Sequence, residues 1–220
     1  MLKLGLIPQA GSAGLRILCL GAHADDIEIG AGGTLLRLLA EQPVAAVGWV
    51  VFSSTPERAR EAEASAQAFL AAAPPALGQS VRVLAFTDGR LPQATAEVKA
   101  EFEQLKDFAP DLVFTHYRHD LHQDHRLLSD LTWNTFRSHL VLEYEIPKYD
   151  GDLGNPAFFV ELPAAVLDQK VELLLKHFPS QRGKHWFDAE TFRALPRLRG
   201  MQAACAGRYA EAFYTRKLVL

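Results

Sequence analysis

Apolar runs of strand length recur at residues 16–21, 44–52, 81–86 and 112–116, with apolar side chains at nearly every position rather than at alternate ones. Strands of that kind are buried on both faces, as in parallel sheets covered by helices. Segments of helical length separate them, at residues 33–41, 56–73, 94–108 and 124–140. This alternation predicts an α/β fold, a mostly parallel sheet with helices on both faces. Thr55-Pro56-Glu57 puts proline at a first helical position, where its missing N–H is harmless, and Pro74-Pro75 ends that helix. Beyond residue 140 the pattern loosens. Residues 144–147 are followed by a Gly/Asp/Pro loop at 150–156, a strand-like run at 157–162, helices at 163–177 and 188–206, and a last strand near 213–219.

A chain of 220 residues buries one sizeable core, and residues 1–220 are expected to form a single domain. With 49% hydrophobic and 22% charged residues its composition is that of an ordinary globular protein, which excludes disordered and fibrous classes. The formal net charge of −3, with the signs interspersed, leaves no basic stripe, so nucleic acid is not expected as a partner. No apolar run reaches the roughly 20 residues of a membrane span, and the first residues lack a signal-peptide pattern, so a cytoplasmic location is the expectation. Cys19 and Cys205 lie in apolar and Ala-rich segments and are expected as buried thiols.

In open parallel sheets ligands bind beyond the carboxyl ends of the strands, so the chemistry is sought in the loops there. The first such loop reads Gly21-Ala22-His23-Ala24-Asp25-Asp26-Ile27-Glu28. Imidazole and carboxylate form a usual zinc donor set, and two adjacent aspartates can divide the work, one ligating and the other serving as base. The same acids also suit a helix start, whose dipole favours negative charge. Gly30, Gly32 and Gly33 let the backbone turn tightly. They do not spell G-x-G-x-x-G, and three acids repel a pyrophosphate, so a dinucleotide is not expected.

The second loop carries four of the chain's eight histidines, His116, His119, His122 and His125. A helix starting near Leu121 would put His122 and His125 on one face about a turn apart, able to address one small volume. His116 and His119 are equally compatible with surface or capping positions. Asp120 and Asp124 are placed to supply the carboxylates that orient metal-bound imidazoles, although Asp124 also suits a helix cap. Arg126 is a candidate substrate contact or a solvated arginine.

Together the loops resemble the LmbE-like, or PIG-L, family of metal-dependent N-acetylglucosaminyl deacetylases, whose pattern is A-H-P-D-D-x-E followed by D-x-H-x-D-H-R. Here the two blocks are Ala22-His23-Ala24-Asp25-Asp26-Ile27-Glu28 and Asp120-Leu121-His122-Gln123-Asp124-His125-Arg126. Weaker similarity at residues 58–61, Asp88-Gly89, Tyr144-Glu145-Ile146-Pro147, His177 with Ser180-Gln181, and residues 207–213 extends the likeness over nearly the whole chain. The resemblance implies a Rossmann-like three-layer fold with its active site at the C-terminal ends of the strands. It implies His23, Asp26 and His125 as metal ligands, Asp25 as general base, and His122 as the residue steadying the tetrahedral intermediate. Arg58, Asp88 and Arg126 are the implied substrate contacts. A small-molecule N-acetylated sugar is the implied substrate, and a homo-oligomer, trimer or hexamer, the implied assembly. Two departures stand out: Ala24 replaces the family's proline, and His185-Trp186-Phe187-Asp188 matches no family pattern. Tyr117, Tyr144, Trp186 and Phe187 are candidates for stacking on a sugar ring, although aromatic side chains are more often core.

The expected reaction is hydrolysis of a linear, non-peptide amide. A His₂Asp set suits Zn²⁺, with Fe²⁺ or Co²⁺ as alternatives. Asp25 would take a proton from water, and either His122 or the protonated Asp25 would return one to the departing amine. Two other classes stay open. The second loop is similar to the H-x-H-x-D-H element of dinuclear metallo-β-lactamase-like hydrolases, with Asp120 where their first histidine stands, and the loops would also serve a non-catalytic metal- or sugar-binding module.

Overall fold

The computed structural model describes residues 5–8, 11–71, 73 and 77–219, so the Pro74-Pro75 helix stop lies outside the described residues. The chain runs β1 (Leu15–Gly21), α1 (Asp26–Glu41), β2 (Val44–Ser53), α2 (Pro56–Leu70), β3 (Gly78–Phe86), α3 (Thr95–Leu105), β4 (Leu112–His116), α4 (Gln123–Thr135), β5 (Leu140–Tyr144), β6 (Phe158–Leu162), α5 (Ala164–His177), α6 (Ala189–Gln202) and β7 (Tyr209–Tyr214). All seven strands form one sheet in the order β3-β2-β1-β4-β5-β7-β6. The first five pair in parallel, and β7 runs antiparallel to both β5 and β6. The three-layer, mostly parallel α/β expectation is met. The two packed sheets of a metallo-β-lactamase-like sandwich do not occur among the described residues.

Strand alternation divides the core. Ile17 and Cys19 of β1, Val47, Trp49 and Val51 of β2, and Leu112 and Phe114 of β4 point to the face covered by α1, α2 and α5. Leu18, Leu20, Val50, Phe52 and Val113 point to the other face, under α3 and α4. Both faces are therefore apolar, which is why these strands lack polar alternation.

Three boundaries differ from the sequence expectation. Helix α1 begins at Asp26, not near residue 33, and its three glycines serve packing rather than a turn. A Cβ on Gly30 would stand 2.1 Å from Tyr144 Cδ2, one on Gly32 2.8 Å from Phe69 Cε1, and one on Gly33 2.6 Å from Leu162 Cδ1. The sequence pattern extends the helix to residue 140, whereas α4 stops at Thr135 and a further strand, β5, starts at Leu140. Strand β7 is fixed by pairing, Leu162 opposite Tyr209 through Phe158 opposite Phe213, and not by the apolar Leu218 and Val219, which are exposed. Cys19 is buried as expected, but Cys205 is only half-buried.

An ion pair between Lys170 of α5 and Glu211 of β7, 2.6 Å apart and buried, ties these elements to α1. Glu211 accepts the backbone N–H groups of Gly33 and Thr34 at 2.9 and 2.6 Å, and Lys170 Nζ donates to the Ile29 carbonyl at 2.6 Å. Each charge thus meets polar partners inside the core, the condition under which a buried pair is tolerated. Glycine-to-alanine changes in an open helix gain about 1 kcal/mol. Gly30→Ala should instead lose roughly 1–3 kcal/mol by overpacking against Tyr144, read as a lower urea midpoint at unchanged slope.

Candidate active site

The two histidine-bearing loops leave the C-terminal ends of β1 and β4, which are neighbours in register from Ile17 opposite Leu112 to Cys19 opposite Phe114. Connections from β1 go to β2 on one side, while β4 continues to β5 on the other, so this is where the strand order reverses and a crevice opens. Two helix N-termini converge there, α1 with Asp25 as its cap and α4 capped by His122, whose Nδ1 accepts the Asp124 N–H at 3.2 Å.

Three donor atoms from the two loops meet at one point. His23 Nδ1 lies 3.2 Å from Asp26 Oδ2 and 3.1 Å from His125 Nε2, and His125 Nε2 lies 3.5 Å from Asp26 Oδ2. A small tetrahedral cation, with its ligands at about 2.0–2.1 Å, keeps its donors about 3.3 Å apart, so this triangle has the size such an ion requires. His116 also comes within 3.3 Å of Asp26 Oδ2, but its Nε2 accepts the Ala22 N–H at 2.9 Å, and it backs the site by stacking on His125 with ring centroids 3.9 Å apart.

Each of the two imidazoles in the triangle has a carboxylate on its far nitrogen. Asp120 Oδ2 is 2.9 Å from His125 Nδ1, and Asp124 Oδ2 is 3.2 Å from His23 Nε2. The carboxylates are held in turn, Asp120 by the His122 N–H at 2.8 Å and Lys148 Nζ at 2.9 Å, Asp124 by the N–H groups of Gly89 at 2.7 Å and Leu91 at 3.1 Å. Such pairs fix ring orientation and tautomer, leaving Nδ1 of His23 and Nε2 of His125 as the free donors.

Charge follows the same plan. Burial pushes the His125 imidazole down to about 4, helped by His116, so this ring is neutral at pH 7 and its lone pair is free. Burial also works against a charged His23, yet Asp26, Asp124 and Asp88 together raise it well above the ordinary histidine value. Three carboxylates so close to one ring favour positive charge at this point. Asp26 resists the upward pull of burial and lies well below the usual carboxylate range because His125, His116 and His23 surround it.

Asp25 differs from its neighbour. It is buried, which raises its carboxyl despite the opposing Arg58 guanidinium. Arg58 Nη2 approaches Oδ1 at 3.0 Å, while Oδ2 is buried without a hydrogen-bond partner among the described residues. His122 lines the same cleft, lowered from the ordinary histidine value by burial and by His23. Asp88 is largely exposed, 3.0 Å from His23 Nε2. Arg126 is turned away, donating to the carbonyls of Asp120 at 3.1 Å and Leu121, and it does not line the cleft. His119 is exposed, and Glu28 is buried beneath the loop, pushed up by burial to about 8.

The donor triangle stands at the floor of an open cleft of about 1500 Å³, counting the space at its mouth. Its walls include Lys148, Tyr149, Gln181, Lys184 and Trp186. Of the four aromatic candidates for stacking, Trp186 alone lines this cleft; Tyr144 and Phe187 are buried in the core, and Tyr117 stacks on Tyr214 with ring centroids 3.8 Å apart. Lys148 carried no signal in the sequence, since its importance lies in a contact with Asp120 from a distant part of the chain.

The architecture is shared with several solved structures. The conserved protein TT1542 from Thermus thermophilus superposes with a TM-score of 0.71 at 24% identity, over 94% of this chain and 96% of that one. N,N'-diacetylchitobiose deacetylase from Pyrococcus horikoshii gives 0.69 at 20% identity, over 92% and 84%. The 4-carboxy-2-hydroxymuconate hydratase of Pseudomonas putida gives 0.70 at 18% identity, over 94% and 98%. At these identities the likeness is one of fold. Residues 18–136, more than half of the chain and inclusive of both histidine loops, match the model of the GlcNAc-PI de-N-acetylase family, and the protein therefore belongs to the PIG-L family.

Proposed function

We propose that this protein removes the N-acetyl group from an N-acetylglucosamine-type sugar or conjugate, using Zn²⁺ held by His23, Asp26 and His125. The observation that carries this is the triangle of donors 3.1–3.5 Å apart with Asp25 beside it, one carboxylate oxygen fixed and the other without a partner among the described residues. Zinc, when bound there, polarises the acetyl carbonyl and makes water more acidic. Fe²⁺ or Co²⁺ would suit the same donors.

Asp25 takes a proton from the attacking water as the water oxygen bonds to the acetyl carbon. His122 then faces the carbonyl oxygen as negative charge gathers on it. Because His122 Nδ1 accepts the Asp124 N–H, the neutral ring carries its proton on Nε2 and donates a hydrogen bond without being an imidazolium. Such a donor contributes about 10²–10³-fold in rate. The C–N bond breaks as Asp25 returns its proton to the nitrogen, giving the free amine and acetic acid, which ionises to acetate on release. Asp88, exposed at the cleft edge, is the substrate contact the geometry favours, whereas Arg126 is occupied by its own loop. The substrate is a small molecule; assembly as a homo-oligomer and a cytoplasmic location complete the proposal.

Zinc-loaded protein should release acetate from at least one member of a panel of N-acetylated sugars and glycoconjugates. A protein that binds zinc and hydrates an unsaturated acid, but releases no acetate, would place it with hydratase chemistry instead. His125→Ala should lose most bound zinc, measured by elemental analysis, while keeping its circular dichroism spectrum, since the ring lies in the first turn of α4, beyond the ends of the central strands, and is not part of the two apolar cores. Asp25→Asn should keep its zinc yet lose about 10²–10⁴-fold in kcat, because a carboxamide accepts no proton. Asp26→Asn should show the reverse emphasis, with zinc affinity falling first.

A further inference from the structure

Two segments remote in sequence bring aromatic rings to the wall of the cleft: Tyr149, between β5 and β6, and Trp186, between α5 and α6. Tyr149 is 73% exposed, so burial does not account for its ring. The segments meet, with the Tyr149 hydroxyl 3.4 Å from His185 Nδ1 and the two rings 5.2 Å apart at their centroids. Both are anchored. Lys148, next to Tyr149, reaches Asp120 at 2.9 Å and also pairs with Asp152, which accepts the Leu121 N–H at 2.8 Å, so this segment is tied to the second histidine loop. Trp186 meets Phe187 edge-on at 5.6 Å, and Phe187 is packed in the core between Phe178 and Phe192, at 6.4 and 4.9 Å. Lys184 Nζ sits over the indole, 5.5 Å from its centroid. Rings held in place in this way bind a partner without first having to be ordered.

The cleft of about 1500 Å³, its mouth included, has more room than one sugar ring fills, since about 300–1,000 Å³ already encloses a drug-sized ligand. With the acetyl group at the donor triangle, whatever is attached to the sugar continues along the walls. Aromatic faces there select a flat partner over a flexible one. We propose that Tyr149 and Trp186 form a subsite for a second ring, so that the substrate is a glycoconjugate whose acetylated sugar is joined to a pyranose or an aryl group that stacks on them. His185-Trp186-Phe187-Asp188 matches no family pattern, so the subsite lies outside the shared motifs. The inference rests on the deacetylase reading for the position of the acetylated sugar.

The test measures kcat/KM for acetate release by zinc-loaded protein from four N-acetylglucosaminides, with methyl, butyl, phenyl or glucosyl as the attached group. Phenyl, glucosyl or both should exceed methyl by about 10-fold, the scale of one stacked ring with its buried area. Which of them does so identifies the ring. In Trp186→Ala and in Tyr149→Ala that ratio should fall to about two-fold or less, whereas Trp186→Phe and Tyr149→Phe should keep most of it, because stacking needs the ring and not its polar atom. A ratio cancels any general loss of active protein. No preference for a ring, a butyl group served as well as the rings, or a preference surviving both alanine variants would each overturn the proposal. Calorimetry on zinc-loaded Asp25→Asn separates the subsite from the reaction. Ring-bearing glycosides should bind it more tightly than the methyl glycoside, and Trp186→Ala in that background should abolish the difference. If this holds while the native protein releases no acetate from any of the four, the deacetylase reading fails and the subsite stands. Equal binding of all four, or binding of none, sinks the subsite.

Discussion

The close approach of helix α1 to the sheet is the constraint on which the site depends. Gly30, Gly32 and Gly33 have no room for a Cβ against Tyr144, Phe69 and Leu162, so the helix lies as near to its neighbours as backbone allows. That depth carries the first turn of α1, with Asp26, down into contact with His116 and His125 from the neighbouring loop. Tyr144 is packed by the same contact, and its hydroxyl donates to the Leu20 carbonyl at 2.6 Å, directly under the β1 loop. The Lys170–Glu211 pair holds the middle of the helix beside these same contacts, close to Gly32 and Gly33. A helix held at this depth presents its carboxylates at fixed positions, which loops alone would not achieve.

Around that anchor the charged groups form a graded arrangement. Asp26 is surrounded by imidazoles, His23 by carboxylates, and Asp25 by one guanidinium and apolar burial. Adjacent residues of identical type are therefore shifted in opposite directions, Asp25 up and Asp26 down. The carboxylates behind His23 and His125 are themselves pinned by backbone N–H groups and by Lys148, so orientation is passed outward to rigid structure.

A fold of this kind does not choose its chemistry. The structures it resembles include an N,N'-diacetylchitobiose deacetylase and a 4-carboxy-2-hydroxymuconate hydratase, with almost equal superposition. What distinguishes one reaction from another is the set of side chains at the crevice and the walls above it. In this chain Ser180, in the segment that carries Gln181, Lys184 and Trp186 along the cleft wall, is hydrogen-bonded to Glu61, which in turn meets Arg58 beside Asp25.

The sequence by itself determined the parallel α/β architecture, because strands buried on both faces leave a signature of unbroken apolar runs that no amphipathic pattern imitates. It also marked the two short segments that carry the histidines and aspartates, since each motif is local, but which of those side chains come together was given only by the resemblance of the paired motifs. The start of helix α1 is not legible locally, because helix propensity penalises glycine, whereas the packing that demands glycine involves Tyr144, Phe69 and Leu162, far away in the chain. The limits of strand β7 are hidden for a similar reason: they come from hydrogen bonds to β5 and β6, not from its own apolarity. Only the tertiary structure decided that Arg126 turns back to its own loop, that Lys148 supports Asp120, and that Glu61 stands behind Arg58. Those contacts join segments brought together by the sheet, and a long charged side chain carries no local pattern that says which partner it will meet.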